Sequence, residues 1–245
     1  MAPKYPEGQS EGSVQKNAEF FAANEWYKSN QARLEIYRLI ANSATHETEH
    51  SRRLLDIGNG GIFIYPINHI PFVEAVDIFV EESFRDRFPH VRWRQLSILE
   101  LDYENDFDTV VVINCLHHVV GMSVKNCYMN LRTSLANIHR ALQPGGKLVL
   151  LESTVPYWFL GPYKLIFASL VKVWPLKHPP TFQFHFREIR DMASSLGFRE
   201  VEFSWIPKFG NLMTLGLEVP GWVSPIRMGK FVFRKVANPE ALNRA

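Results

Sequence analysis

Residues 52–61 read RRLLDIGNGG, an apolar run that ends in an aspartate and runs into three glycines within four positions around Asn59. Glycine has no Cβ, so it takes positive φ and lets a ligand approach the main chain closely, at an entropic cost on folding that needs a reason. RLLDIG reads as a short strand, and the glycines as a tight turn at its carboxyl end.

Working outward, VEAVDIF (73–79) is a second strand, with Asp77 near its end, and VRWRQLS (91–97) a third. FDTVVVINCL (107–116) is a strong fourth, because its unbroken β-branched run suits a strand covered on both faces. YMNLRTSLANIHRALQPGG (128–146) reads as a helix stopped by Pro144 and two glycines. KLVLLES (147–153) is the fifth strand, and HFREIRDMASSLGF (185–198) a helix closed by Gly197. REVEFSWI (199–206) and GKFVFRKV (229–236) follow with no evident helix between them, so the sheet should end antiparallel. The pattern predicts an α/β fold: a Rossmann-like, seven-stranded, mostly parallel sheet with an antiparallel C-terminal strand and helices on both faces. One or two amphipathic helices are expected within 14–41, ahead of a polar connection at 43–51.

A length of 245 residues suits one large domain. It divides into an N-terminal tail and helical cap (1–50), a ligand-binding core (51–154), an aromatic insert (155–186) and a C-terminal completion of the same domain (187–245). A charged fraction of 21% beside 46% hydrophobic residues excludes a disordered chain. The formal net charge of +2 and sparse basic pairs give no phosphate-tracking stripe, so no nucleic-acid partner is expected. Cys115 and Cys127 form no CxxC pair and read as reduced, buried thiols of a cytoplasmic protein. The opening MAPKYPEGQSEG carries no apolar signal segment. The most apolar stretch, 155–174, is broken by Pro156, Pro162, Lys164 and Lys172 and fails as a membrane span.

In an open α/β sheet, ligands bind beyond the carboxyl ends of the strands near the point where strand order reverses. Asp77 lies 21 residues beyond Asp56, which places its carboxylate beside the glycine turn, where it can accept from a ribose diol. A dinucleotide fingerprint would need a third glycine at 63, where Phe63 stands, and the Gly-Lys-Ser/Thr of a phosphate loop is missing. A nucleoside without a diphosphate, such as S-adenosylmethionine, fits this combination.

The ordered series LLDIGNGG, AVDIF, FDTVVVINCLHHV, IHRALQPGGKLVLLES and FREIRDMASSLGFREVEF resembles the class I S-adenosylmethionine-dependent methyltransferases over roughly residues 50–235. The resemblance implies that Asp56, Gly58, Gly60 and Gly61 form the turn at the methionyl part of the cofactor. It implies that Asp77 is the ribose acid and that Ile78 flanks the adenine. Two positions depart from the family pattern: Ile62 stands where a further glycine is frequent, and Ser97 where an aspartate often accepts from the adenine amino group. Ser97 and the backbone of Ile98 are the remaining adenine candidates, and Asn114 either binds the amino acid end or merely closes the strand.

Methyl transfer from a sulfonium is an in-line displacement, so a base is needed only when the acceptor must lose a proton. His117 and His118 follow the fourth strand, and imidazole titrates near neutral pH. The resemblance favours His118 as the catalytic base, with His117 second; each could instead bond a loop carbonyl or face solvent. Glu152 could orient an acceptor or that histidine, or serve between strands. Tyr27 from the N-terminal segment and Trp158 from the insert are candidates for the acceptor pocket. The insert itself keeps three readings: a lid, a dimer contact, or a peripheral membrane contact through 155–174. The remaining histidines form no ligand pair, and the run Asp102, Glu104, Asp106, Asp108 reads as a solvated turn, so no metal is expected. The expected function is methylation of a small molecule with an apolar or aromatic part, O-methylation first. The alternative is a cofactor-binding scaffold or partner subunit that does not methylate.

Overall fold

The computed structural model describes residues 19–20, 35–171, 179–207, 210–212, 217–221 and 223–237. Seven strands form one sheet: β1 (Arg53–Ile57), β2 (Phe72–Asp77), β3 (Val91–Gln95), β4 (Phe107–Ile113), β5 (Leu142–Thr154), β6 (Phe198–Ile206) and, last in the chain, β9 (Arg227–Lys235). Their order is β3-β2-β1-β4-β5-β9-β6. β1 to β5 run parallel, while β9 runs antiparallel to both β5 and β6. Two three-residue strands, β7 (Gly210–Leu212) and β8 (Leu217–Val219), form a separate antiparallel pair between β6 and β9.

Alternation along the strands divides the core between the two faces. Val110 and Val112 of β4 and Leu148 and Leu150 of β5 join one buried cluster. Their neighbours Val111, Val149 and Leu151 join the cluster on the opposite face. A period of two on a strand covered from both sides produces this split. The first cluster is capped by α3 (Val124–Ala141), α4 (Tyr157–Leu170) and α5 (Phe186–Ser195). Helix α3 begins a turn before the apolar period suggests, because Ser123 Oγ accepts from Asn126 N at 3.2 Å and caps it there. The opposite face is covered by α1 (Glu35–Thr48) and α2 (Glu82–Arg87). Glu47 fastens α1 to the sheet by accepting from Lys147 of β5 (3.2 Å) and Lys230 of β9 (3.1 Å). Burial alone would raise the Glu47 carboxyl, but the two lysines outweigh it and hold it below its usual range.

The crossover from β1 to β2, residues 58–71, contains no helix. Parallel neighbours are usually joined through one. Two glycines and two prolines, Gly60, Gly61, Pro66 and Pro71, interrupt any helical run there. Tyr65, Ile67 and Ile70 do the helix's covering work, buried against Ile36, Tyr37 and Ile40 of α1.

The insert is half core and half surface. Phe167 of α4 meets Phe182 at 4.8 Å between ring centroids, and Phe182 and Phe184 are both buried. Phe184 bridges to Thr154, extending the end of β5. Tyr157, Trp158, Leu165 and Ile166 lie on the exposed side of α4. Among the described residues no helix is long and apolar enough to cross a membrane.

Candidate active site

The carboxyl ends of β1, β2, β4 and β5 bring most of the candidates to one edge. The turn after β1 is fixed by four hydrogen bonds. Gly58 N donates to Val76 O (2.8 Å), Gly61 N to Asn59 Oδ1 (2.8 Å), Ile62 N to Asn59 O (3.2 Å) and Gly60 N to Asp77 Oδ2 (2.9 Å). Asp77 Oδ1 accepts from Phe79 N at 3.1 Å, so one carboxylate ties the glycine turn to the end of β2. Each carboxylate oxygen has a further acceptor site, which leaves Asp77 able to receive a diol.

The glycines differ in what surrounds them. A Cβ on Gly61 (φ +76°) would meet the Phe84 ring at 2.3 Å, so this glycine lets α2 pack beneath the turn. A Cβ on Gly60 (φ +61°) would meet no protein atom within 4 Å. Its bare main chain therefore faces the side from which a ligand can come, and the residues fit an adenosyl cofactor.

Asp56, 3% exposed, accepts from the Tyr65 hydroxyl. Burial pushes its carboxyl up to about 7, and nearby Asp77 adds to this, while the bonds from Tyr65 and Asn59 oppose it. Asp77 is pushed up to about 6 by burial, against the lowering effect of the Gly60, Phe79 and Ile78 amides. The Cys115 thiol is raised well above its ordinary value by burial and by the carboxylates of Asp77, Glu152 and Asp56.

Glu152 at the end of β5 is fully buried. Its Oε2 accepts from Leu116 N (2.8 Å), and its Oε1 from Ser153 N (2.8 Å) and Ser153 Oγ (3.2 Å). The same Oε1 lies 2.5 Å from His117 Nδ1. An ionised carboxylate only accepts, so this contact assigns a proton to Nδ1, and in the neutral imidazole that tautomer leaves the lone pair on Nε2. The short helical turn Leu116–His118 sets His117 over Glu152. His118 is the next ring, 4.2 Å from His117 between centroids. The His117 carbonyl accepts from Phe182 N at 2.8 Å, so the returning half of the insert walls this corner.

Ser97, Ile98 and Asn114 also make hydrogen bonds within the fold. Ser97 is buried, and its Oγ accepts from Leu99 N at 3.2 Å. The Ile98 carbonyl accepts from Asn137 Nδ2 at 3.0 Å. Asn114 closes β4 with φ +50°, its amide donating to Leu151 O at 2.8 Å. Ile78 is half-buried just beyond β2. Trp158 is 57% exposed on α4. Tyr27 lies outside the described residues. In the acidic run, Asp102 pairs with Arg94 (2.8 Å) and Asp108 accepts from the Arg52 and Arg53 amides (3.0 and 2.8 Å). Sequence reasoning passed over Tyr65 and Ser153; the one available signal for Ser153 was its place beside Glu152.

The reversed last strand, the turn over Asp77 and the sheet around them make up the Rossmann-like fold of the methyltransferases. Residues 55–150 match the methyltransferase domain family, a match consistent with a class I S-adenosylmethionine-dependent methyltransferase. It is 26% identical over 114 residues to the ubiquinone/menaquinone biosynthesis C-methyltransferase UbiE of Rubrivivax gelatinosus. That stretch covers 44% of this chain and 42% of the relative, so the chain spans less than half of that protein's length. Geranyl diphosphate C-methyltransferase of Streptomyces coelicolor, solved with Mg2+, geranyl diphosphate and S-adenosyl-L-homocysteine, shares the fold at a TM-score of 0.63 and 13% identity, covering 96% of this chain and 100% of that one. The N-methyltransferase NodS of Bradyrhizobium japonicum, solved with S-adenosyl-L-homocysteine, shares it at 0.60 and 16%, covering 92% and 99%.

Proposed function

We propose that the chain methylates a small, partly apolar acceptor at an atom that gives up a proton, with His117 as the base and Glu152 as the carboxylate that orients it. The observation that carries this reading is the buried Glu152 carboxylate on His117 Nδ1. Bound S-adenosylmethionine supplies a methyl group on a positively charged sulfur. His117 Nε2 takes the acceptor's proton, and the negative Glu152 stabilises the imidazolium that results. The proton then leaves to solvent. Asp77 holds the ribose, and the turn at Gly60 lets the methionyl part pass over the main chain. The described parts of the insert, residues 155–171 and 179–186, act as the acceptor wall and lid, with Tyr157 and Trp158 supplying aromatic surface.

A hydroxyl is the first acceptor, since a neutral imidazole suits removal of its proton. A second reading is an activated carbon acid, favoured because two of the relatives described above are named C-methyltransferases. Turnover of a phenol and 1,3-dicarbonyl panel with methyl-labelled cofactor tests both. His117→Ala should lower turnover by about a hundredfold or more while leaving cofactor affinity within about threefold. Unchanged turnover removes His117 as the base, and the labelled carbon's chemical shift separates O-methyl from C-methyl products.

A further inference from the structure

The helix-free crossover gives the first acid of the site an unusual support. Tyr65 is buried in that crossover, and its hydroxyl runs back under the glycine turn to Asp56 Oδ2. The groups that face Asp56 are Tyr65 from the crossover, Asn59 from the turn, Asp77 from the end of β2, and the Cys115 thiol from the loop after β4. None of these is a cation. Two neighbouring carboxylates thus meet at the turn, and among the described residues neither forms an ion pair. Such an arrangement suits a ligand that brings the positive charge itself.

We propose that Tyr65 is a positioning residue for the cationic methionyl end of the cofactor: its hydroxyl holds the Asp56 carboxylate in place and in its charged form beneath the turn. This rests on the cofactor reading given above. A hydrogen bond to the charged form favours that form, so losing the hydroxyl leaves Asp56 protonated over a wider pH range. Burial and Asp77 already raise this carboxyl, which brings the effect into the neutral range. Cofactor affinity should then depend on pH through Asp56, and the dependence should move when only the Tyr65 oxygen is removed.

The test is calorimetric titration of the full chain and of Tyr65→Phe with S-adenosylmethionine at pH 6.5, 7.5 and 8.5. Each result is read as the ratio of variant to wild-type Kd, which cancels the ligand's own titration. The neutral 5′-methylthioadenosine, which lacks the methionyl end, is titrated in parallel. The expected ratio for S-adenosylmethionine is about five to ten at pH 6.5 and 7.5, narrowing to about two at pH 8.5, with the methylthioadenosine ratio near one throughout. A ratio that does not change with pH, or equal weakening of both ligands, overturns the proposal and leaves Tyr65 as packing alone. Asp56→Asn keeps an oxygen for the Tyr65 hydroxyl but loses the charge, so it should bind S-adenosylmethionine weakly at every pH; wild-type affinity in that variant also overturns it. Failure of the wild-type chain to bind either ligand would instead refute the cofactor reading itself.

Discussion

Alanine at Gly60 and at Gly61 should separate binding from folding at adjacent positions. Both residues have positive φ, near +61° and +76°. A left-handed conformation costs an alanine about 1–2 kcal/mol, and its stiffer unfolded chain returns about 0.4–1 kcal/mol, for a net loss of about 1 kcal/mol. At Gly60 nothing is added to this, because the new methyl meets no protein atom within 4 Å. The melting temperature should fall by roughly 2–4 °C. At Gly61 the methyl would lie 2.3 Å from the Phe84 ring, in a cluster with Trp93. Overpacking adds about 1–3 kcal/mol, so the loss centres on about 3 kcal/mol and roughly 6–12 °C. The order reverses for S-adenosylmethionine. Gly60→Ala should weaken it at least about tenfold, some 1.4 kcal/mol or more, while Gly61→Ala, measured well below its melting point, changes it less. Thermal denaturation and calorimetry on the same preparations provide both readings. Wild-type affinity in Gly60→Ala would refute the assignment of the cofactor to this side of the turn.

Asp77→Ala should weaken S-adenosylmethionine at least about tenfold in calorimetry, since it removes the ribose acceptor and frees the Gly60 amide; an unchanged Kd would show the ribose lies elsewhere. Asp56 and Asp77 hold their protons to about 7 and about 6 in the folded chain against 3.8 when unfolded, so between these values the ligand-free fold binds more protons and loses stability as pH rises. Asp56→Asn should therefore flatten the decline in melting temperature between pH 5 and 8, and a decline as steep as wild type would contradict the burial argument. Lys230→Met takes one of the two lysines from the buried Glu47, leaving it Lys147 and the exposed His46 ring, and also breaks the Lys230–Glu202 pair; it should cost about 3 kcal/mol, seen as a melting point roughly 6–12 °C lower, and a higher melting point would mean that the network costs more than it contributes.

The sheet was legible because its signals are local. The β-branched run of β4 announces a strand covered on both faces, and the core divides Val110 and Val112 from Val111 in that way. The two helix-free terminal segments announced the antiparallel end. The turn was legible from its glycines, although their different duties were not: whether a Cβ meets Phe84 or nothing depends on where α2 lands. The pairing of Glu152 with His117 was hidden for a related reason. The register Ile113↔Leu151 sets Glu152 level with Asn114, and only the turn at Leu116–His118 decides which imidazole comes back over it. Helix α2 and the strands β7 and β8, at six and three residues, are too short to show a period. Tyr65 carried no signal because its partner lies across an irregular crossover, where neither a period of two nor of 3.6 relates sequence to space.

The strand formed by residues 227–235 is wedged between two others, and they have no contact with one another in the sheet without it. During synthesis, everything up to Ile206 can emerge while both flanking borders still display unsatisfied amides and carbonyls, an invitation to pair with foreign chains. Late arrival of Phe231 and Phe233 also delays closure of the interior on that side. A chain truncated near residue 220 should accordingly recruit holding chaperones far more strongly than the full chain.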